Sequence, residues 1–298
     1  FPFGYGASIA GMLDYRLKES FPDRTVEVIN TALAAVNSYT VLDFVDEIIE
    51  QQPDAVLIYA GHNEYLGILG VGSAYTAANS PAATLLYLKL KDSRIFQLMQ
   101  NIYWQFSKAD VSKNAQKSRT FMSKVAKHKN IPFGSDLYKA GLEQFDNNIS
   151  MVIDKYQAAG IPVFISSIAS NLVDQPPFSS NNKTDNTSAS FYYEKGMKLI
   201  AQEDFQKAKK AFIKARDYDL LRFRAPSAIN DVIKKLTEKE SHFLKLACSE
   251  MTYKEIADKM CLSPKTIDGY RESLFQKLEV KNRIGLVLYG IKHKLVEF

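Results

Sequence analysis

The sequence predicts an α/β part built on a parallel sheet, followed by an all-α part. Apolar runs at 55–60 and 161–166 have the length and composition of buried parallel strands, and helical patterns separate them. Strands alternating with helices favour a layered α/β fold with right-handed crossovers. From residue 236 onward the apolar residues recur at helical spacing, which predicts a bundle of short helices.

Each element of the α/β part has its own sequence signal, because amphipathic stretches predict helices and short apolar runs predict strands. In such sheets the chemistry lies past the carboxyl ends of the strands. The predicted elements are, in order, helix 7–18, strand 25–30, helix 40–51, strand 55–60, helix 93–108, helix 137–159 and strand 161–166.

Composition sets loose bounds on function. A chain of 298 residues can hold two domains, and 46% hydrophobic residues are typical of a globular protein. The net charge of +5 is too mild to indicate nucleic acid by itself. Cys248 and Cys261 lack metal-ligand spacing and are expected to be small core residues, so we expect no metal and no cofactor. No apolar run is long enough to span a bilayer.

Two local clusters have less specific meaning. Tyr103, Trp104 and Phe106 are expected to belong to the core or to cover a site. The lysine-rich run 108–129 is expected to be a solvated segment, with contact to phosphate or a membrane surface as the alternative.

The stretch 252–278 has the layout of two short helices joined by a tight turn. In the first helix, Ile256 and Met260 share one face. Ser263 is a good N-cap for the second, and Pro264 falls at its first position, where a missing N–H costs nothing. This is the layout of a helix-turn-helix, which places its second helix in the DNA major groove. An ordinary amphipathic helical hairpin is the alternative.

The flanks of this stretch continue the pattern. Leu-Thr-x-Lys-Glu opens an earlier helix at 236–240, and a last apolar helix follows 280–283. Taken whole, 236–298 resembles the four-helix DNA-binding domain of LuxR-type transcriptional regulators. The resemblance implies double-stranded DNA as the partner and binding as a homodimer. The shared motifs are Leu-Thr-x-Lys-Glu at 236–240, Lys-Glu-Ile-Ala at 254–257, Leu-Ser-x-x-Thr-Ile at 262–267 and Lys-Leu-x-Val at 277–280.

The resemblance also implies roles for individual side chains. Those expected to contact phosphate are Thr252, Tyr253, Thr266, Tyr270 and Arg271. Those expected to face base edges are Lys265, Asp268, Gly269 and Glu272. Family members often carry a basic residue where this chain has Asp268 and Glu272. A carboxylate can accept from cytosine N4 but repels phosphate, so base preference stays open.

Two strand ends of the first part carry polar clusters. One is Asn30 followed by 37–40, and the other is Gly-His-Asn-Glu at 61–64. With the strands before them, they resemble the second and third sequence blocks of SGNH (GDSL-like) hydrolases, over 1–231. That family implies a three-layer parallel-sheet fold and ester or acyl hydrolysis by a serine, a histidine and an aspartate. Asn63 would donate to the oxyanion.

Most of that catalytic machinery is missing, so we expect the hydrolase-like part to be incomplete and inactive. The chain begins at Phe1 without an initiator methionine, as if cut from something longer, and the nucleophile block is expected upstream. Ser8, the nearest serine, is expected inside the first helix. No histidine follows an aspartate at the family's spacing. His62 is expected to shape the strand-end loop, with a catalytic base as the alternative. The four histidines are His62, His128, His242 and His293.

The stretch 189–222 predicts a helical hairpin inserted in the hydrolase-like part. Its small residues would let two helices pack closely, and the spacing fits one tetratricopeptide-like repeat. A protein partner at this hairpin and a plain structural hairpin are the two alternatives. The residues that carry the pattern are Tyr192, Gly196, Leu199, Ala208, Phe212 and Ala215.

The sequence thus predicts domains at 1–231 and 236–298 with almost no linker between them. We expect transcriptional regulation through the second domain; an SGNH-type esterase and a non-catalytic scaffold are the alternatives. A DNA-binding domain implies the cytoplasm, whereas the hydrolase-like part implies a membrane-associated or extracytoplasmic site. This conflict motivates the hypothesis that two unrelated gene fragments are joined here. The operator, the controlling signal and the oligomeric state are not predicted.

Overall fold

The computed structural model describes residues 5–73, 80–107, 130–181, 188–293 and 295–296. The basic run 108–129 lies outside these residues, and so do the side chains of Tyr103, Trp104 and Phe106. The chain forms two compact units, Phe1–Ala34 and Ala35–Phe298. The second unit contains the strand pair and the helix-turn-helix region together.

The first unit contains a 3₁₀ turn, Tyr5–Ala7, and helix α1, Ile9–Ser20. Ser8 is the N-cap of α1, and its Oγ accepts from the Gly11 N–H at 3.0 Å, so it precedes the helix instead of lying inside it. The predicted strand at 25–30 is wrong, because these residues form no strand in the structure. A strand exists only where a neighbour pairs with its backbone, and an alternating sequence cannot supply that neighbour.

The second unit is mostly helical around a small sheet. Strand β1, Val56–Ile58, pairs in parallel with β2, Val163–Ile165, and Val56 lies opposite Val163. Among the described residues this pair is the whole sheet, so the three-layer arrangement stays a prediction. The predicted helix 40–51 is two helices that meet at Phe44. The helices up to β2 are α2 Ser38–Asp43, α3 Val45–Glu50, α4 Pro81–Leu90, α5 Arg94–Ser107 and α6 Asp136–Ala158.

Helix α6 is the central element of this unit. It begins at a serine cap, where Ser135 Oγ accepts from the Tyr138 N–H at 3.2 Å. Its apolar side chains recur at three- and four-residue spacing and are buried on more than one face. Val152 and Tyr156 pack with the strands, whereas Phe145 and Ile149 pack with a later helix.

Two helices, α7 Ala189–Ala201 and α8 Phe205–Asp217, form the predicted hairpin. Ser188 and Asp204 cap them through hydrogen bonds to backbone N–H groups. Gly196 lies against the ring of Phe212 so closely that a β-carbon there would be 2.6 Å from the ring. The helical hairpin is therefore confirmed, and its identity as a tetratricopeptide repeat stays a prediction.

Helix α9, Ser227–Ala247, passes straight through the predicted junction at 231–236. Ile229, Ile233 and Leu236 form a helical stripe packed on α6, while Phe243 and Ala247 belong to the next core. The expectation that a new helix opens at Leu236 is wrong. The helix begins at Ser227, and its apolar stripe already starts at Ile229 and continues through Leu236 without a break.

Three short helices complete the chain: α10 Tyr253–Met260, α11 Pro264–Lys277 and α12 Arg283–Lys292. With the end of α9 they form the predicted four-helix domain. Its core joins Phe243, Ile256, Ile267 and Leu286. Of the two cysteines Cys248 is buried as expected, but Cys261 is exposed, because it takes the left-handed position that ends α10.

No helix in the described ranges is both long enough and apolar enough to cross a membrane.

We predict that Gly196→Ala lowers the free energy of unfolding by about 1–3 kcal/mol, because the new methyl group overlaps the Phe212 ring and forces α7 and α8 apart. Urea denaturation of the whole chain measures the change. Lys195→Ala, at the neighbouring exposed position, is the matched control and should leave stability nearly unchanged. An unchanged denaturation midpoint for Gly196→Ala would show that the hairpin does not pack through this contact.

Candidate nucleic-acid interface

The first helix of the motif, α10, starts at a reciprocal cap. Thr252 Oγ1 accepts from the Glu255 N–H at 3.3 Å, and the Glu255 carboxylate accepts from the Thr252 N–H at 2.6 Å. This is a capping box, and it satisfies two backbone donors at the helix start. The hydrogen bonds from the Thr252 backbone and hydroxyl lower the pKa of Glu255.

The second helix, α11, follows a turn of three residues. Cys261 ends α10 with φ of 53°, and Leu262 leads to Ser263, whose Oγ accepts from the Thr266 N–H at 3.1 Å. The hydroxyls of Ser263 and Thr266 also lie within hydrogen-bond distance, at 2.9 Å. The start of α11 is therefore fixed by local contacts, and both hydroxyls lie on the exposed end of the helix.

Arg283 holds the loop before α10, a role that the sequence did not reveal. Its Nε donates to the Ala247 carbonyl at 2.7 Å, and its Nη2 donates to the carbonyls of Ser249 and Met251. The guanidinium also lies 5.3 Å from the ring centroid of Tyr253. The sequence gives no signal for this role, because the three acceptors are backbone carbonyls more than thirty residues away.

A charged cluster occupies the outer side of α11. Arg271 pairs with Asp268 at 2.9 Å and with Glu272 at 3.4 Å, and its guanidinium lies 5.4 Å from the Tyr253 ring centroid. The Tyr253 hydroxyl is buried and has no hydrogen-bond partner in the described residues. Lys265 is exposed at the start of the helix. The surface of α11 therefore combines cationic groups with two carboxylates, and the unpartnered hydroxyl of Tyr253 lies buried beneath it.

Two of the predicted contact residues lie on a different side of α11. Tyr270 is only 6% exposed and packs against Phe243, with ring centroids 5.9 Å apart. Gly269 lies beside Gln157 of α6, whose side chain would be 3.4 Å from a β-carbon at that position. Lys277, further along α11, stacks over Phe164 of β2 at 5.8 Å. This side of α11 faces the α/β body in the structure.

The structure thus divides the predicted contact residues into two groups. Gly269 and Tyr270 face the interior of the unit. Of the others, Thr252, Lys265, Asp268 and Glu272 are exposed, and Thr266 is half-buried in the first turn of α11. Arg271 pairs with Asp268 and Glu272 and lies over the ring of Tyr253. Residues 236–298 contain eleven Lys or Arg and nine Asp or Glu, so this domain has little net charge to attract phosphate.

Residues 234–289 match the family described as bacterial regulatory proteins, luxR family. This part of the chain is a LuxR-type helix-turn-helix domain. It is similar to the response regulator GacA of Pseudomonas viridiflava, with 32% identity over 72 residues, which is 24% of this chain and 34% of that protein. It is also similar to the oxygen regulatory protein NreC of Staphylococcus carnosus, with 35% identity over 72 residues, 24% of this chain and 33% of that protein.

The response regulator GacA of Pseudomonas aeruginosa is 34% identical over 62 residues, 21% of this chain and 29% of that protein. The chain therefore matches about a third of the length of these curated relatives. No solved structure matches the chain significantly.

The second candidate site lies where β1 ends. Asn63 is half-buried in the turn 61–64, and its backbone carbonyl accepts from the Gly67 N–H at 2.7 Å. Its side chain has no hydrogen bond to the described residues, so nothing in the structure fixes it as an oxyanion donor. His62 Nδ1 accepts from the Ala225 N–H at 3.1 Å, which ties this turn to the start of α9. This contact agrees with the expectation that His62 shapes the loop.

A buried polar network starts at the next residue. The Glu64 carboxylate accepts from the Ser38 N–H at 3.0 Å, the Ser38 hydroxyl at 2.7 Å and the Gln144 amide at 2.5 Å. The Asn148 amide in turn donates to Ser38 Oγ at 2.8 Å. Burial raises the pKa of Glu64 to about 7, although these hydrogen bonds favour the carboxylate. The network joins the turn after β1 to α2 and α6.

We predict that the ionisation of Glu64 destabilises the folded chain. Because its folded-state pKa lies above the ordinary value, the folded chain holds this proton more tightly than the unfolded chain. Stability is therefore highest below pH 4.5 for this group and falls as pH rises towards 7, by on the order of 3 kcal/mol. Glu64→Gln removes the titration and should flatten that fall.

Urea unfolding at several pH values across this range measures the effect. Glu50→Gln, at an exposed position of α3, is the control and should keep the pH dependence of the unchanged chain. A Glu64→Gln chain whose stability still falls as steeply would assign the pH dependence to another group.

Proposed function

We propose that residues 236–298 bind double-stranded DNA and regulate transcription. One observation carries the proposal: a complete, capped helix-turn-helix places Arg271 over the ring of Tyr253 and leaves Lys265 exposed at the start of its second helix. The likeness to bacterial regulators supports it. Helix α11 is the helix that this geometry would place in the major groove, which admits one helix.

Phosphate contacts are proposed for Thr252, Tyr253, Thr266 and Arg271. The Tyr253 hydroxyl is a buried donor without a partner in the described residues, so it reaches phosphate only if the side chains over it move; Arg271 and Arg283 lie over its ring. Cationic groups and hydroxyls of this kind position a protein on DNA without reading sequence. The role of Tyr270 at phosphate, which the sequence also suggests, requires that its buried hydroxyl reach the helix surface.

Base contacts are proposed for Lys265, Asp268, Gly269 and Glu272. Lys265 can donate to guanine, whereas Asp268 and Glu272 can accept from cytosine N4. Both carboxylates pair with Arg271 in the structure, so they also screen its charge from phosphate. A preference for a site rich in G·C pairs follows from this set of donors and acceptors.

We predict that Arg271→Ala and Asp268→Ala change DNA affinity in opposite directions. Loss of Arg271 removes a cation and leaves two carboxylates unpaired beside the DNA, so affinity should fall by about tenfold or more at low salt. Loss of Asp268 removes one of the repelling carboxylates, so affinity for arbitrary duplex should rise. Fluorescence anisotropy with labelled duplex at several salt concentrations measures both.

Lys198→Ala is the matched control for the loss of one cation, because this residue lies on α7, outside the helix-turn-helix domain. It should leave binding unchanged. Equal and small effects of all three substitutions would contradict the proposed contact surface. Affinity for duplex no higher than that of a neutral protein would contradict DNA binding as a whole.

The position of α11 against α6 implies a cost for DNA binding. Gly269 and Lys277 face Gln157 and Phe164, so the helix cannot enter a groove along that side unless it separates from the α/β body. The core of the four-helix domain, from Phe243 to Leu286, uses only its own residues. The domain can therefore keep its packing when that contact opens.

We predict that the segment 234–298 binds duplex DNA about tenfold more tightly than the whole chain, which corresponds to about 1.4 kcal/mol for opening the contact. Gln157→Lys in the whole chain places a charge against Gly269 and α11 and should recover part of that difference. Lys155→Ala, an exposed position on the same helix, is the control. Equal affinity of segment and whole chain would show that the contact does not limit binding.

The remaining functional assignments are proposals with less structural support. We propose a homodimer on DNA and a cytoplasmic location, both implied by the LuxR-type domain. We propose the division into 1–231 and 236–298, an inactive SGNH-like body and a protein partner at the hairpin α7–α8. The parallel pair β1–β2, with its turn at 61–64, supports the SGNH-like body. The exposed side chains Met197 and Phe205 support a partner at the hairpin.

A further inference from the structure

A pocket of about 320 Å³ lies at the carboxyl ends of β1 and β2. His62 follows β1, Ser170 and Asn171 follow β2, and Arg224 precedes α9. The ends of neighbouring parallel strands are where open α/β folds bind ligands, because the loops diverge there. Neither the helix-turn-helix nor Asn63 lines this pocket.

Two hydrogen-bond donors at the pocket are buried and unused. Arg224 is 7% exposed, and its Nε has no partner in the described residues. The hydroxyl oxygen of Ser170 is also buried and has no hydrogen-bond partner in the described residues. A buried donor without a partner costs free energy, so such groups in folded proteins commonly mark a site that a ligand or water satisfies.

The rest of the guanidinium is fixed in place by the protein. Arg224 Nη1 donates to the carbonyls of Asn171 at 3.2 Å and Gln175 at 2.7 Å, and Nη2 donates to the Asp219 carboxylate at 3.3 Å. Asp219 also accepts from the backbone N–H groups of Phe178, Ser179 and Leu221. The arginine is therefore held in place by its two Nη groups, while its Nε–H is buried beside the pocket without a partner.

The loop that carries Ser170 is also fixed. Asn230 of α9 bonds both backbone groups of Ile168, at 2.7 and 3.0 Å. The Tyr59 hydroxyl accepts from the Ala169 N–H at 3.1 Å. Burial lowers the pKa of His62, and the charges of Arg216 and Arg224 lower it further. The hydrogen bond between His62 and the Ala169 backbone acts in the other direction and raises it. His62 and the loop that carries Ser170 are therefore both held by hydrogen bonds, and the pocket needs little ordering when a ligand enters.

We propose that this pocket binds a small organic carboxylate. The Arg224 Nε–H can only donate and the Ser170 hydroxyl can donate, which favours an oxyanion, and a carboxylate offers one acceptor oxygen to each of these lining residues. Because Asp219 already compensates the charge of Arg224, the pocket favours a monoanion over a doubly charged phosphate. Phe223 and Ala169 in the lining give an apolar group on the ligand a surface to contact.

The test is a titration of the ¹⁵N-labelled whole chain, followed by amide chemical shifts, with benzoate, benzamide and inorganic phosphate as probes. We expect saturable binding of benzoate with a Kd of about 1 mM, as suits a few contacts to a small ligand. Benzamide has the same shape without the charge and should bind about tenfold more weakly. Equal binding of benzoate and benzamide, or no saturable shift with benzoate, would overturn the proposal.

Substitutions locate the site. Ser170→Ala removes a hydroxyl that makes no bond within the described residues, so the fold should persist while benzoate binding weakens about tenfold. Ser170→Asp places a carboxylate in the pocket and should abolish binding. Ser166→Ala, at an exposed serine of the same loop, should bind like the unchanged chain. Unchanged affinity of Ser170→Ala would place the ligand elsewhere, and tighter binding of phosphate than of benzoate would refute a carboxylate site.

Discussion

Helix α6 is the element on which the rest of the second unit depends. Its 23 residues pack against the strand pair, α2 and α3, the first half of α9, and α11. Polar residues of its buried face, Gln144 and Asn148, complete the network around Glu64. A single helix with more than one buried face resists displacement against all its neighbours, because packed interiors have low compressibility. The proposed DNA-reading helix and the strand pair therefore rest on the same helix.

Helix α9 makes the same link through the covalent chain. Its first half belongs to the core of the α/β body and its second half to the core of the LuxR-type domain. A flexible linker would let the two parts move independently, whereas a continuous helix fixes their relative rotation. Separation of α11 from α6 therefore requires bending within α9 or a tilt of the whole domain about it.

Electrostatics at the proposed interface are balanced instead of strongly basic. Arg271 is committed to Asp268 and Glu272, and exposed pairs of this kind contribute little to stability. These pairs matter for DNA binding instead, because each carboxylate reduces the attraction of the helix to phosphate and adds an acceptor for base edges. At the proposed carboxylate pocket two donors lack partners, and the carboxylate that pairs with Arg224, Asp219, is also engaged by backbone N–H groups.

The sequence by itself determined the local structure. The cap at Ser263 and the apolar spacing placed most helices, including the last three of the LuxR-type domain, since these signals act within a few residues. Tertiary structure alone decided which strands pair and that residues 25–30 form no strand. It also decided that α9 runs on through both cores and that Gly269 and Tyr270 face inward. It also placed Ser170 and Arg224 in the lining of one pocket and brought Arg283 to three distant carbonyls. Such contacts join residues far apart in the chain, and no periodicity within one segment records them.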